Sequence, residues 1–327
     1  MKNNGWSLCK IDKTDWEKHI PRVRFANLLQ SWEYGEAKRV EGWQAVRFRI
    51  VDSVMQDRGL LQVLVKKLPL IGGIARINRG PLLFSDMIEE SLPQNEIEAL
   101  WKGIRLEARR QRWWYLRIAP EHQVTGSVTD ALGKSGLKKV GNSSCWGSYR
   151  VSLLPSPEEL FAGLNGKWRN LLRKAQKHEV LVKEINDPRE MEWTVGRYIK
   201  FQEEGGFRGI PENLLTAISK QTGMNWRFRV FWAMKDESAA EPVGFIVSVE
   251  SGDTATYLIG WTSDEGRVLQ ANYILLWNAM LAARLRGLRW FDLGGKTENT
   301  PKGITHFKKG VGGREYRLAG EFSSKFF

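Results

Sequence analysis

The sequence is poor in the residues that build metal centres and disulfide frameworks. Its 327 residues include two cysteines, Cys9 and Cys145, and four scattered histidines, His19, His122, His178 and His306. Two cysteines make no disulfide framework, and the histidines show no metal-ligand spacing, so no metal is expected. Long apolar runs are missing too. The opening stretch MKNNGWSLCKIDKTDWEKH has no apolar core of a secretory signal. The longest uncharged run, VLQANYILLWNAMLAA, falls short of the about 20 residues a membrane span needs, and it carries Gln270, Asn272 and Asn278. The expectation is a cytoplasmic monomer, with contact at the inner membrane surface left open. Acidic residues are scarce as well: 37 against 50 Lys and Arg, a net charge of +13. Such an excess attracts polyanions, whether nucleic acid, nucleotide-linked sugars or an anionic membrane face.

Familiar catalytic signatures are also absent. No G-x-S-x-G nucleophile elbow occurs. GGKTENT resembles a phosphate loop, but Trp290 stands where the first glycine of that motif belongs, five positions before Gly295. No pair of carboxylates has a spacing that marks it for acid–base work. Asp292 precedes two glycines at the end of a strand-like run, where fixing a loop and catalysis are both open to it.

What is present is a length suited to two domains and a weak internal repeat. ALWKGIRLEARRQRWWYLRI and LLWNAMLAARLRGLRWFDLG share a Leu-Trp pair and a following Trp-aromatic pair at the same offset, Trp101 to Trp114-Tyr115 and Trp277 to Trp290-Phe291. Ile97, Leu100, Trp101, Ile104 and Ala108 fall on one helical face, as do Tyr273, Leu276, Trp277, Met280 and Leu281. Strand-like runs precede each helix: WQAVRFRIV, LLQVLVKKL and GIARINRGPLL in the first half, WRFRVFWAM, PVGFIVSVE and ATYLIGWTS in the second. Two copies of one α/β unit with mixed sheets are expected, over residues 1–150 and 151–315. At the join, Ser156, Pro157 and Glu159 form a capping-box pattern. GKWRNLLRKAQKHEV follows, with Trp168, Leu171, Leu172 and Ala175 as its apolar face and Lys167, Arg169, Arg173, Lys174 and Lys177 around the rest. Such a face suits either plain solvation or a nucleic acid. Near the C-terminus, GITHFKKGVGG sets Phe307, Lys308 and Lys309 in a glycine-rich frame and reads as a flexible turn or an anion site.

The order of elements is shared with acetyl-coenzyme A transferases of the GNAT superfamily. These hold the cofactor pyrophosphate at a helix N-terminus with the pattern [QR]-x-x-G-x-[GA]. RVLQAN lies at the matching place. Arg267 fits, but Gln270 replaces the glycine and Asn272 the small residue. LPQNEIE in the first half fits less well, so no coenzyme A cradle is expected in either copy.

Along nearly its whole length the sequence resembles the FemABX group, built from two tandem GNAT-like domains. The resemblance is carried in order by LLQSWEYGEAKRVEGW, INRGPLL, YLRIAPE, KWRNLLRKAQKHEVLVKE, the stretch from YLIGWTSDEGRVLQAN to LRWFDLGG, and GITHFKKGVGGREYRLAGE. It implies two tandem GNAT-like acyltransferase domains without an inserted coiled-coil arm, and residues 316–327 returning to pack on the first domain. It implies transfer of an amino acid from aminoacyl-tRNA to an amine of a nucleotide- or lipid-linked peptidoglycan precursor. The donor is then a substrate, and no further cofactor is implied. Lys38 and Arg208 would bind precursor phosphates, although Glu212 stands where the family places a tyrosine after that arginine. Tyr257 would touch substrate. Phe307 would pack near the terminal adenosine of the tRNA, and Lys308 would stabilise charge at the transfer site. Two other readings stay open: an N-acyltransferase with an acyl-coenzyme A donor acting on a polysaccharide or other acceptor, and a noncatalytic RNA- or glycan-binding module.

Overall fold

The computed structural model describes residues 5–69, 72–84, 92–141 and 145–326. The chain divides into two compact units, Met1–Gly147 with Tyr316–Phe327, and Ser148–Glu315.

In the first unit, β1 (Ser7–Lys10), β2 (Gln44–Val51), β3 (Asp57–Leu68) and β4 (Gly72–Gly80) form an antiparallel meander. Two short helices, α1 (Lys13–His19) and α2 (Trp32–Ala37), lie between β1 and β2, and β5 (Leu82–Leu83) pairs with β3. The long helix α3 (Gln94–Arg110) then crosses over to β6 (Trp113–Pro120), which runs parallel to β4. The helix buries Ile97, Leu100, Trp101, Ile104 and Ala108, the stripe that its 3.6-residue spacing predicts. Next come α4 (Gly126–Lys134) and β7 (Lys138–Lys139).

The second unit repeats this plan. It opens with β8 (Gly147–Ser152), whose first residue ends the previous unit, and then α5 (Pro157–Gly163). Ser156 and Glu159 make the reciprocal bonds of a capping box at the start of α5. After α6 (Gly166–Lys177) come β9 (Leu181–Ile185), α7 (Pro188–Gly205), α8 (Glu212–Ser219), and the antiparallel strands β10 (Trp226–Met234), β11 (Gly244–Ser251) and β12 (Thr254–Thr262). The short helix α9 (Asp264–Val268) leads into the crossover helix α10 (Ala271–Leu285), and β13 (Trp290–Asp292) pairs in parallel with β12. Finally α11 (Lys302–Lys309) precedes β14 (Arg314–Arg317), and β15 (Phe322–Lys325) closes the chain.

The sheets run β1-β2-β3-β4-β6-β15-β7 and β14-β8-β13-β12-β11-β10-β9. Each is an antiparallel meander of four strands, a crossover helix and one parallel strand, so the weak sequence repeat is a repeat of structure. Every residue of β11 is buried, because the second sheet is covered on both faces. One face packs Leu172, Trp168, Leu275 and Met280, and the other Tyr198, Leu215, Phe245 and Val247. The longest described helix, α7, has 18 residues. No described helix is long and apolar enough to cross a membrane.

Two details differ from the sequence expectation. Helix α10 is not amphipathic: it buries Ile274, Leu275 and Ala279 as well as Leu276, Trp277 and Met280, because it packs against α6 as well as against β10 and β11. The segment that reads as a flexible frame is instead α11, and its glycines sit at the ends. A Cβ on Gly310 would meet the Trp168 ring at 2.7 Å, one on Gly312 the Gly163 carbonyl at 2.3 Å, and one on Gly313 the Arg150 carbonyl at 2.8 Å. These glycines admit the protein's own rings and backbone.

Candidate active site

The parallel pairing of β12 and β13 is short: Thr254–Thr256 stand opposite Trp290–Asp292 and the ladder ends there. Beyond it the two strands no longer pair. A register shift at Val247/Ser248 on β11 sets Ser248 opposite Tyr257 and disturbs the sheet at the same level. The segment after β13 stays close to β12 through its backbone. Gly294 turns left-handed, with φ 71°, and a Cβ there would lie 2.5 Å from the Tyr257 carbonyl. Only glycine satisfies both conditions. The buried carboxylate of Asp292 accepts the Gly294 N–H at 2.9 Å and lies 3.6 Å from Arg150, which assigns it to fixing this loop. Ser148 donates to the Gly294 carbonyl. Lys296 pairs with Glu315 at 2.5 Å and stands over the Tyr149 ring.

Lys308 reaches this loop from the last turn of α11. It is the buried residue of that helix, 8% exposed. Its ammonium donates to the carbonyls of Gly295 at 2.7 Å and Gly294 at 3.2 Å, which leaves one of its three N–H groups for another partner. Burial pulls its pKa down to about 8. Asp292 opposes that shift and Lys296 adds to it. At neutral pH the group is still mostly cationic, fixed in position and largely dry, the condition under which a charge best stabilises a developing oxyanion.

Tyr257 is half-buried on β12, its hydroxyl over Gly260, where a Cβ would come within 2.0 Å. Burial raises its pKa, and Tyr198 raises it further. Phe307 faces the protein's own aromatics: its ring lies 5.3 Å from Tyr273 and 5.9 Å from Trp168, and its carbonyl accepts the Trp168 indole N–H at 3.1 Å. Arg208 is exposed in the stretch between α7 and α8 and has no ion pair among the described residues. Its loop is tied to α7 by Gln202, which accepts the Gly209 N–H and donates to the Ile210 carbonyl at 3.0 Å. Tyr198 closes against Gly209 in the same place. The second unit thus carries Lys308, Phe307, Tyr257 and Arg208. Lys38 belongs to the first unit. It follows α2 in a 3-10 turn, its side chain 12% exposed and paired with Glu41. It is therefore no open surface lysine, and an anion must compete with Glu41 for it.

Sequence reading missed Ser148, Tyr273, Trp168 and Lys296. Trp168 and Lys296 lie in stretches already quoted, but nothing local marks their roles, and each of the four acts through a partner at least 19 residues away. The glycine pair after Asp292 was the one local signal for the loop.

The coenzyme A position is the N-terminus of α10. Gln270, at the position where the template has glycine, takes a left-handed backbone with φ 59° but brings a side chain. Its amide folds over the turn and donates to the Arg267 carbonyl at 2.8 Å. The Asn272 side chain is bonded to Thr262. A side chain covers the backbone that the pyrophosphate would have to approach, so these residues do not fit the cradle.

Residues 165–309 match a family model described as an acetyltransferase (GNAT) domain. No curated protein sequence matches the chain. Among solved structures the chain is similar to FemX, at 17% identity and a TM-score of 0.79, over 98% of this chain and 97% of FemX. It is similar to the L-PGS structure from Bacillus licheniformis at 11% identity and a TM-score of 0.53, over 97% and 92% of the two chains. A tandem GNAT protein from the clavulanic acid biosynthesis pathway matches at 11% identity and a TM-score of 0.51, over 98% of each chain. These likenesses establish the fold, two GNAT domains in tandem.

Proposed function

We propose that this chain, a tandem GNAT protein by its fold, is an aminoacyltransferase that moves an amino acid from aminoacyl-tRNA to an amine of a peptidoglycan precursor. The observation that carries this reading is a buried ammonium at the split beside β13, in a unit whose coenzyme A position is covered by Gln270. The FemABX-like motifs and the likeness to FemX support it.

In this reaction the amine nitrogen attacks the ester carbonyl carbon of the donor. A C–N bond forms, the bond to the ribose oxygen breaks, and the proton lost by the amine ends on that oxygen, directly or through solvent. Lys308 stabilises the oxyanion of the tetrahedral intermediate. Arg208 and Lys38 hold acceptor phosphates, Tyr257 contacts the substrate, and Phe307 lines the approach of the terminal adenosine.

The test is single-turnover transfer from total tRNA charged with labelled amino acids to a panel of nucleotide- and lipid-linked precursors. Labelled product that disappears on RNase treatment of the donor, and in Lys308→Ala, supports the reading. No product on any acceptor refutes it. A donor of the acyl-coenzyme A type is the competing reading, favoured by the match to an acetyltransferase domain. A rise in melting temperature with acetyl-coenzyme A would count for it.

A further inference from the structure

Helix α6 carries five cations and no acidic residue over 12 positions. Between Asn165 and His178 there is no acidic residue, while Lys167, Arg169, Arg173, Lys174 and Lys177 all occur there. Several cations on other helices have a local acidic partner: Lys13 with Glu17, Lys102 with Glu98, Arg110 with Glu107, Arg267 with Asp264. Lys167, Lys174 and Lys177 are exposed and have no ion pair among the described residues. Arg169 is spent on the carbonyls of Ala162 and Leu164, and Arg173 lies over Phe161. The helix does not depend on this face for folding, since Trp168, Leu172 and Ala175 bind it to the core.

Two further observations say what the face suits. Its exposed positions carry no apolar side chain, so it has nothing to insert into a lipid surface. It also begins at the candidate site. Trp168 donates to the Phe307 carbonyl, and the Asn165 N–H donates to the Gly310 carbonyl at 2.8 Å, so the first turn of α6 brackets the turn that carries Lys308. From Lys167 to Lys177 the helix extends about 15 Å, over which a duplex backbone presents several phosphates.

We propose that the exposed face of α6 binds the phosphate backbone of the donor RNA, along the acceptor stem whose 3′ end reaches Lys308. This rests on the reading of Lys308 as the transfer site. It assigns Lys167, Lys174 and Lys177 to affinity, independent of base sequence, and gives them no part in the chemistry.

The experiment uses a fluorescent RNA hairpin that reproduces a tRNA acceptor stem, uncharged, and measures its binding as a function of salt. The variant Lys167→Ala/Lys174→Ala/Lys177→Ala is expected to bind roughly tenfold more weakly at ~0.1 M salt, with a salt slope smaller by about three. Lys134→Ala/Lys138→Ala/Lys139→Ala, on the exposed surface of the first unit, is expected to bind like the parent. Lys174→Glu alone provides a second variant should the triple change lower the melting temperature. Unchanged affinity and slope in the α6 variants overturn the proposal. So does retained RNA binding with lost binding to vesicles of equal parts phosphatidylcholine and phosphatidylglycerol. If the hairpin binds through α6 while no acceptor is ever aminoacylated, the surface stands and the transfer reading falls. If transfer proceeds and the triple variant keeps its KM for charged tRNA, the transfer reading stands and the surface falls.

Discussion

Lys308 is a cation held mostly out of water, and its ionisation sets two pH dependences. The folded chain releases this proton near pH 8, while an unfolded lysine holds it to about 10.5. Between those values the unfolded state binds more protons, so unfolding free energy contributed by this group rises with pH. Urea titrations from pH 7 to 10 are expected to show that rise in the parent and a flatter profile in Lys308→Met. The catalytic dependence has the opposite sign, because the ammonium is the active form. Lys308→Ala is expected to lower single-turnover transfer by about 10²–10³ with little effect on precursor binding. The ratio of parent to variant rates should shrink as pH rises through about 8; a constant ratio would remove the charge from the mechanism. Gly294 is the other residue on which the split depends. Gly294→Ala meets both a left-handed φ and the Tyr257 carbonyl at 2.5 Å, and is expected to cost about 2 kcal/mol or more in urea unfolding.

At the scale of elements, legibility followed the range of the signal. The α3 stripe and the α5 capping box are local, and both stand where the residues put them. The apolar burial of α10 was read as one face because a periodicity argument supposes solvent around the rest, and α10 packs against α6 in addition to the sheet. For α11 the glycines misled. They lie at the ends of the helix and so mark its limits, while the contacts of Phe307 and Lys308 that fix it are made with residues not adjacent in sequence. The candidate site was legible only as residue types in family motifs; the loop that Lys308 engages, and the aromatic cluster around Phe307, come from tertiary pairing. The start of α10 offers a test at this scale. Gln270 already takes a glycine-like backbone, so Gln270→Gly is expected to change stability by less than about 1 kcal/mol, and the β-branched Gln270→Val to lose about 2 kcal/mol. Equal losses from both would mean that the side-chain bond to Arg267 governs the turn.

Across the whole molecule, the two sheets fill the place beside their parallel strand differently. Beside β13 the neighbour is β8, which opens the second unit, whereas beside β6 it is β15, the last strand of the chain. Phe322 is buried in the first core, and Glu321 pairs with Arg117 and Arg76. Removal of residues 316–327 is therefore expected to strip hydrogen-exchange protection from β6 while leaving β10 to β12 protected. Loss of protection in both units together would show that they open as one.

The return of β15 also sets an order of assembly. On the ribosome the second unit has all of its strands before the first does, although the first is translated earlier. The early-made half waits with the flank of β6 unpaired until residues 316–327 emerge, a template for edge-on association while it waits. The second unit begins and ends on neighbouring strands, β8 and β14, so it has the connectivity of a cassette, a piece that can be lifted from one host loop and set into another.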